Sequence, residues 1–220
     1  AWATIVSTYT LAAIPNSLAM TNVEFSSMTA NFDSHFNPYG TTFYVEASST
    51  AFAQVQASSD TWLSLALLDT LSPNILFDSR VRAKNRNDVY TSWTTLPSTY
   101  TKAAPVTLPA QPFSLVGTDQ LTVSFNNGNG NASNTQYFIQ LSSANTFDGA
   151  NDLSGGYAVI ASSQFTGLQS GATYYARARA RNQNLAETIW TVLGSTRTSF
   201  AAPSALAPTV NITSITAAWN

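Results

Sequence analysis

The chain of 220 residues contains no cysteine and a single histidine. Without cysteine there is no disulfide framework and no thiolate metal site, and the lack fits a secreted bacterial protein that avoids misoxidation. Only 9% of residues are charged, far below the usual quarter, so Ser, Thr, Asn and Gln must cover most of the surface. The net charge of −2 argues against nucleic acid or anionic membrane as a partner. No apolar run approaches the roughly 18 residues of a membrane helix. The opening, AWATIVSTYT, has neither an initiator Met nor a basic, apolar leader, and reads as a mature or truncated segment. Phosphate-binding glycine loops, metal motifs and nucleophile elbows are missing.

What is present is repetition. WATIVSTYTLAAIP from Trp2, WTTLPSTYTKAAP from Trp93 and WTVLGSTRTSFAAP from Trp190 share one pattern, with the Trp residues 91 and 97 positions apart. LSPNILFDSRVRAKN from Leu71 and LQSGATYYARARARN from Leu168 each begin 22 residues before the following Trp. MTANF, LTVSF and ITAAW end at Phe32, Phe125 and Trp219, in steps of 93 and 94. FYVEASS from Phe43 answers YFIQLSS from Tyr137. Within each repeat the apolar period is two: Ala176, Ala178 and Ala180 alternate with Arg177, Arg179 and Arg181. That is the pattern of half-buried strands, and short strands parted by turn-rich stretches such as NNGNGNAS predict a β-sandwich or barrel. WLSLALLDTL (Trp62 to Leu71) looks most helical, but its counterpart VIASSQFTGL does not, so both are read as strand.

The segment LQSGATYYARARARN resembles the strand E to strand F region of fibronectin type III domains. The matching positions are Leu168, Ser170, Tyr174, Ala176, Ala178, Ala180 and Asn182; in the earlier repeat they are Leu71, Pro73, Phe77, Ser79, Val81, Ala83 and Asn85. The resemblance covers nearly the whole chain. It implies an all-β fold of tandem fibronectin type III-like (immunoglobulin-like) β-sandwiches, each of two packed antiparallel sheets with Greek-key connections. It also implies a structural corner at Leu71, Phe77, Leu168 and Tyr174, where Tyr174 has the hydroxyl that Phe77 lacks. Core aromatics are expected at Phe32, Phe125 and Trp219, the family's strand B position, and at Trp93 and Trp190.

The expected boundaries are 1–14 for the last strand of a preceding domain, 15–105 and 106–203 for two complete domains, and 204–220 for the first strands of a following one. Short linkers ending in Pro predict a semi-rigid row. A lone strand or opening pair cannot bury its apolar face, so the ends are expected to be held by the chain's continuation or a neighbouring copy.

Six of the nine basic residues form a row on strand F: Arg80, Arg82, Lys84, Arg177, Arg179 and Arg181. With strand C beside strand F, Tyr44, Glu46, Phe138 and Gln140 should share their face, so the expected role is Arg stems covering aromatic rings rather than a binding stripe. Tyr44, Phe138 and these arginines form the candidate contact face. His35, in DSHFNPYG, reads as a turn residue. Asp148 and Asp152 lack the ligand spacing of a calcium loop. Asn131-Ala-Ser and Asn211-Ile-Thr match the N-glycan acceptor pattern. No catalytic residue and no cofactor are indicated. The expectation is a non-enzymatic structural or adhesive module of a long extracellular or cell-surface protein. Its partners would be copies of itself or adjoining domains, with glycans or another surface protein as further candidates. The alternative is an accessory spacer, contacting carbohydrate, in a secreted glycoside-degrading enzyme.

Overall fold

Alternation decides the architecture. In β2 (Met28–Asp33), Met28, Ala30 and Phe32 are buried while Thr29 and Asn31 are half-exposed, and β6 (Leu76–Lys84) buries Phe77, Ser79, Val81 and Ala83 in the same rhythm. Such strands have one dry face each, which two stacked sheets can cover. The computed structural model describes residues 8–128, 130–149, 152–210 and 213–219. Among these residues there are sixteen strands and no helix, hence none long and apolar enough to cross a membrane.

The first sandwich is built from β1 (Asn16–Thr21), β2, β3 (Thr42–Ser48), β4 (Ala57–Thr61), β5 (Leu65–Leu68), β6 and β7 (Thr94–Tyr100). One sheet has the order β1-β2-β5 and the other β4-β3-β6-β7. The chain changes sheet between β2 and β3, between β4 and β5 and again between β5 and β6, and every hydrogen-bonded pair is antiparallel. Met28, Ala30, Phe32 and Leu68 from one sheet join Phe43, Val45, Phe77, Val81 and Leu96 from the other in a single buried cluster. Each large side chain so buried contributes about 1.5–3 kcal/mol.

The second set repeats this order. β8 (Phe113–Ser114), β9 (Gln120–Ser124) and β12 (Ser162–Thr166) form one sheet. β10 (Gln136–Ser142), β11 (Asp152–Ala158), β13 (Thr173–Arg181) and β14 (Thr191–Arg197) form the other, in the order β11-β10-β13-β14. Leu121, Val123, Ile139, Leu141, Ala176 and Ala178 are its inward alternation. β15 (Ala205–Val210) and β16 (Ile215–Trp219) form a separate antiparallel pair. By compactness, the first unit comprises residues up to Val106 together with Asn127–Tyr137 and Arg179–Trp190; the second comprises Thr107–Asn126, Phe138–Ala178 and residues from Thr191 onward.

Three expected core aromatics are not in a core. Trp93 and Trp190 are only half-buried. Leu96 and Leu193, three positions further on, are the buried residues of β7 and β14. An odd spacing along extended backbone puts the two side chains on opposite faces. Trp219 is 69% exposed, because β16 pairs only with β15 and no second sheet covers it among the described residues. Phe32 and Phe125 are buried. Residues 1–7 lie outside the described residues; residues 8–14 are in no strand. They match the stretch 99–105, where β7 ends at Tyr100, so most of the strand expected over 1–14 falls on residues 1–7.

Candidate contact face

The basic row stands on the outward positions of β6. The register of β3 against β6 sets Tyr44 opposite Arg82 and Glu46 opposite Arg80. Arg80 donates from Nε to Glu46 Oε2 at 2.8 Å and forms an ion pair with the same oxygen at 2.7 Å. Its guanidinium lies 3.9 Å from the Phe52 ring centroid and 4.1 Å from that of Trp93. Arg82 lies 3.7 Å from the Tyr90 centroid, 4.4 Å from Trp93 and 5.4 Å from Tyr44. Arg82 Nε is buried without a hydrogen-bond partner, so three ring faces hold this cation in place of polar atoms. Tyr44 and Trp93 are themselves in tilted contact at 5.9 Å. The result is a ladder of alternating rings and cations in which each guanidinium is sandwiched or paired.

β13 carries a second ladder. Arg177 Nε donates to Gln140 Oε1 and Arg181 Nε to Gln136 Oε1, both at 2.7 Å. The Arg177 guanidinium sits 4.2 Å from the Phe147 centroid and that of Arg179 sits 4.3 Å from Trp190. Arg179 pairs with Glu187. Phe138 is in tilted contact with Tyr157 at 5.0 Å. Sequence reasoning placed the arginines, Tyr44, Glu46, Phe138 and Gln140 on this face and missed Phe52, Tyr90, Phe147 and Glu187. These four arrive from connections between strands, and their only advance signal is aromatic or acidic character in otherwise Ser/Asn-rich turns.

The corner residues Leu71, Phe77, Leu168 and Tyr174 are all buried. Tyr174 Oη accepts the Gln169 backbone N–H at 3.0 Å, the bond expected of a sandwich corner. Phe77 stands equally far from Ser72 but has no oxygen to offer. Phe77→Tyr is therefore expected to stabilise the first sandwich by about 1 kcal/mol, raising its melting temperature by roughly 4–8 °C. Tyr174→Phe should lose a similar amount in the second. Thermal denaturation of both variants checks this, and an unchanged Phe77→Tyr melt would refute the corner alignment.

His35 sits in a turn at φ 54°, with Nδ1 2.9 Å from the Ile14 carbonyl. Among the described residues no three His, Asp or Glu side chains are grouped as a metal site would need. Asp152 Oδ2 accepts from Gln140 Nε2 and from the Gly149 N–H, closing its own turn. Asn131 is a correction to the glycan-acceptor reading. Its Nδ2 donates to the carbonyls of Ala104 and Asn127 at 2.9 and 2.8 Å, and its Oδ1 accepts the Ala104 N–H at 2.8 Å. Both amide hydrogens are engaged, whereas a glycan would replace one of them. Asn211 lies outside the described residues.

Burial pushes the Tyr137 phenol above its ordinary 10.0, and its hydroxyl donates to the Asn127 carbonyl at 2.7 Å. The His35 backbone N–H, then the Asn16 amide, hold the Asp33 carboxyl below 3.8. A hydrogen bond to Asp88 holds Lys84 above 10.5. By linkage, the Asp33 contribution is present above 3.8 and is lost as pH falls through the lowered folded value. Those of Lys84 and Tyr137 are present below 10.5 and 10.0 and are lost as pH rises through the raised ones. None of these three groups changes stability near neutrality.

No protein-family model matches the chain, and no curated protein matches it by sequence. Among solved structures, a two-domain fibronectin type III segment of chicken tenascin is 12% identical, covering 84% of this chain and 100% of its own at a TM-score of 0.55. The FN1-FN3 domains of chicken CNTN1 (contactin), also 12% identical, cover 84% of this chain and 68% of theirs at a TM-score of 0.38. The tenascin likeness is one of fold. The chain has the fold of tandem fibronectin type III-like β-sandwiches.

Proposed function

We propose that this chain is a non-catalytic structural or adhesive module of a long extracellular multi-domain protein, a surface fibre or filament built from tandem sandwiches. The observation that carries this reading is that the outer face of β6 is committed to its own ladder. Arg80 is paired with Glu46 and stacked on two rings, and Arg82 is held by three. A cation so engaged stiffens a strand instead of waiting for a ligand or polarising a substrate. The cysteine-free, charge-poor composition supports an extracellular setting. Copies of the chain or adjoining domains of the same polypeptide are its partners.

The alternative role as a spacer contacting carbohydrate needs a bare row of aromatics on one face. On the β6 face Phe52, Trp93 and Tyr90 are capped by guanidinium groups, which disfavours it. Electron microscopy of the native material separates the two. Fibres with a repeat matching the sandwich period are expected; discrete particles with glycoside-degrading activity would overturn the fibre reading.

A further inference from the structure

Two asparagine pairs in the first unit make the same set of bonds to two copies of one peptide. In the first set, Asn37 Oδ1 accepts the Ala13 N–H and Asn37 Nδ2 donates to the Ala13 carbonyl, both at 2.8 Å. Asn85 Nδ2 donates to the Thr10 carbonyl at 2.9 Å. In the second set, Asn131 makes the same reciprocal pair with Ala104, at 2.8 and 2.9 Å. Asn182 Nδ2 donates to the Thr101 carbonyl at 3.0 Å. The bound segments are Thr-Leu-Ala-Ala and Thr-Lys-Ala-Ala, residues 10–13 and 101–104. In each, Thr and the second Ala are bonded through the main chain, three positions apart.

A carboxamide that both donates to and accepts from one residue's backbone reads an extended strand as a neighbouring strand would. In the second set Ala103 and Ala104 are buried to 2% and 3% exposure; in the first, Ala12 and Ala13 are half-buried. Asn85 and Asn182 are also buried, and each anchors its own turn: Asn85 Oδ1 accepts the Asn87 and Val89 N–H groups, and Asn182 Oδ1 accepts that of Ala186. The donors are thus aimed before the peptide arrives. A cavity of about 300 Å³ between residues 9–12 and Pro38, Tyr39 and Arg86 marks the first of these sites.

We infer that Asn37 with Asn85, and Asn131 with Asn182, are two copies of a peptide-binding clasp whose ligand is an extended Thr-x-Ala-Ala segment, as at residues 10–13 and 101–104. Among the described residues no such asparagine pair meets the third segment, Thr198 to Pro203. Ala201 and Ala202 are exposed, unlike Ala103 and Ala104. Its occupant is a further repeat carrying the two asparagines. The segment has one extra residue, Phe200, whose ring stacks under Arg197 at 4.6 Å and covers Gly171.

This inference deepens the fibre reading and rests on it for the identity of the occupant; the test reads the clasp alone, whereas microscopy reads the fibre. Amide hydrogen exchange on the full chain supplies the measurement. In the wild type, the Ala13 and Ala104 amides should be protected and the Ala202 amide should exchange near the open-peptide rate. Asn37→Ala should speed exchange at Ala13 roughly tenfold to a hundredfold, leaving Ala104 and the core amides of Val45 and Val81 unchanged. Asn131→Ala should do the reverse. Because Asn37 also orders its own loop through the Ser34 carbonyl, and Asn85 its own turn through Oδ1, the second variant is Asn85→Asp, which keeps that oxygen, loses the donor to the Thr10 carbonyl and should release the same segment from its other end. Unchanged protection of Ala13 in both variants, loss spreading to the core amides, or a wild-type Ala13 as open as Ala202 would overturn the clasp.

Discussion

Phe32→Ala is expected to destabilise the first sandwich by about 3–5 kcal/mol, the cost of emptying a buried aromatic site. Phe32 has no exposed surface, lies 5.0 Å from Phe43 across the two sheets, and sits beside Met28, Ala30 and Leu68 in one buried cluster. The backbone around it is pinned on both sides, by β1 through Ser17 and by the Ser64 carbonyl, which accepts the Phe32 N–H at 3.1 Å. A void there cannot close by strand movement without breaking a ladder. Against a total stability of roughly 5–15 kcal/mol for a domain of this kind, the variant should be partly unfolded at ambient temperature. Urea titration gives the midpoint shift. The control is Trp93→Ala, which removes a larger ring from a half-buried outer position and should cost less, roughly 1–2 kcal/mol of stacking and area. If Trp93→Ala proved the more damaging, the assignment of inner and outer faces would fail.

Arg80→Met should cost about 2–3 kcal/mol, less than the 3–5 of a fully buried pair because Arg80 keeps some access to water. Its side chain is 26% exposed and that of Glu46 is 9% exposed. Removing the guanidinium leaves the Glu46 carboxylate in a site from which water is largely excluded, with its cation gone, Phe52 uncapped and Trp93 capped by Arg82 alone. The second substitution decides the mechanism. Glu46→Leu in the Arg80→Met background removes the stranded charge and should restore much of the loss, since a pair of apolar residues often replaces an ion pair at little cost. A double-mutant cycle by chemical denaturation measures the coupling. If the double variant were as unstable as the sum of the two single ones, the ladder would be held by ring stacking alone.

Both predictions rest on side-chain parity, and parity was legible in the sequence. The alternation of Ser79, Val81 and Ala83 with Arg80, Arg82 and Lys84 assigns each residue to a face before any fold is known. The β3 partners Tyr44 and Glu46 followed once the fibronectin type III resemblance set strand C beside strand F. Parity also held the information that moves Trp93 and Trp190 outward, in their odd spacing to Leu96 and Leu193. Trp93 and Trp190 are expected in the core from their place in the repeated motif, where the count along the strand points the other way. Trp219 differs: its position on strand B is right for burial, but burial requires a facing sheet, and β15 and β16 have none among the described residues.

The clasp was half legible. Asn85 and Asn182 stood at matching places in the F-strand motif, and the Thr-x-Ala-Ala segments were the clearest repeat in the chain. What joined them was hidden, because Asn37 and Asn131 follow Phe32 and Phe125 by five and six residues and so break the register that exposes the other repeats. Asn131 instead resembled a glycan acceptor.

Alone, the sequence determined the two-residue rhythm, the repeat of some 90–100 positions and the face on which each strand residue points, because these are local properties of extended backbone and of duplicated chain. The tertiary structure decided which rings cap which arginines and which asparagines grip which peptide. Those pairings join residues up to 81 positions apart through turns whose closure depends on the whole packed sandwich, and no short-range pattern records where a turn will deliver its side chain.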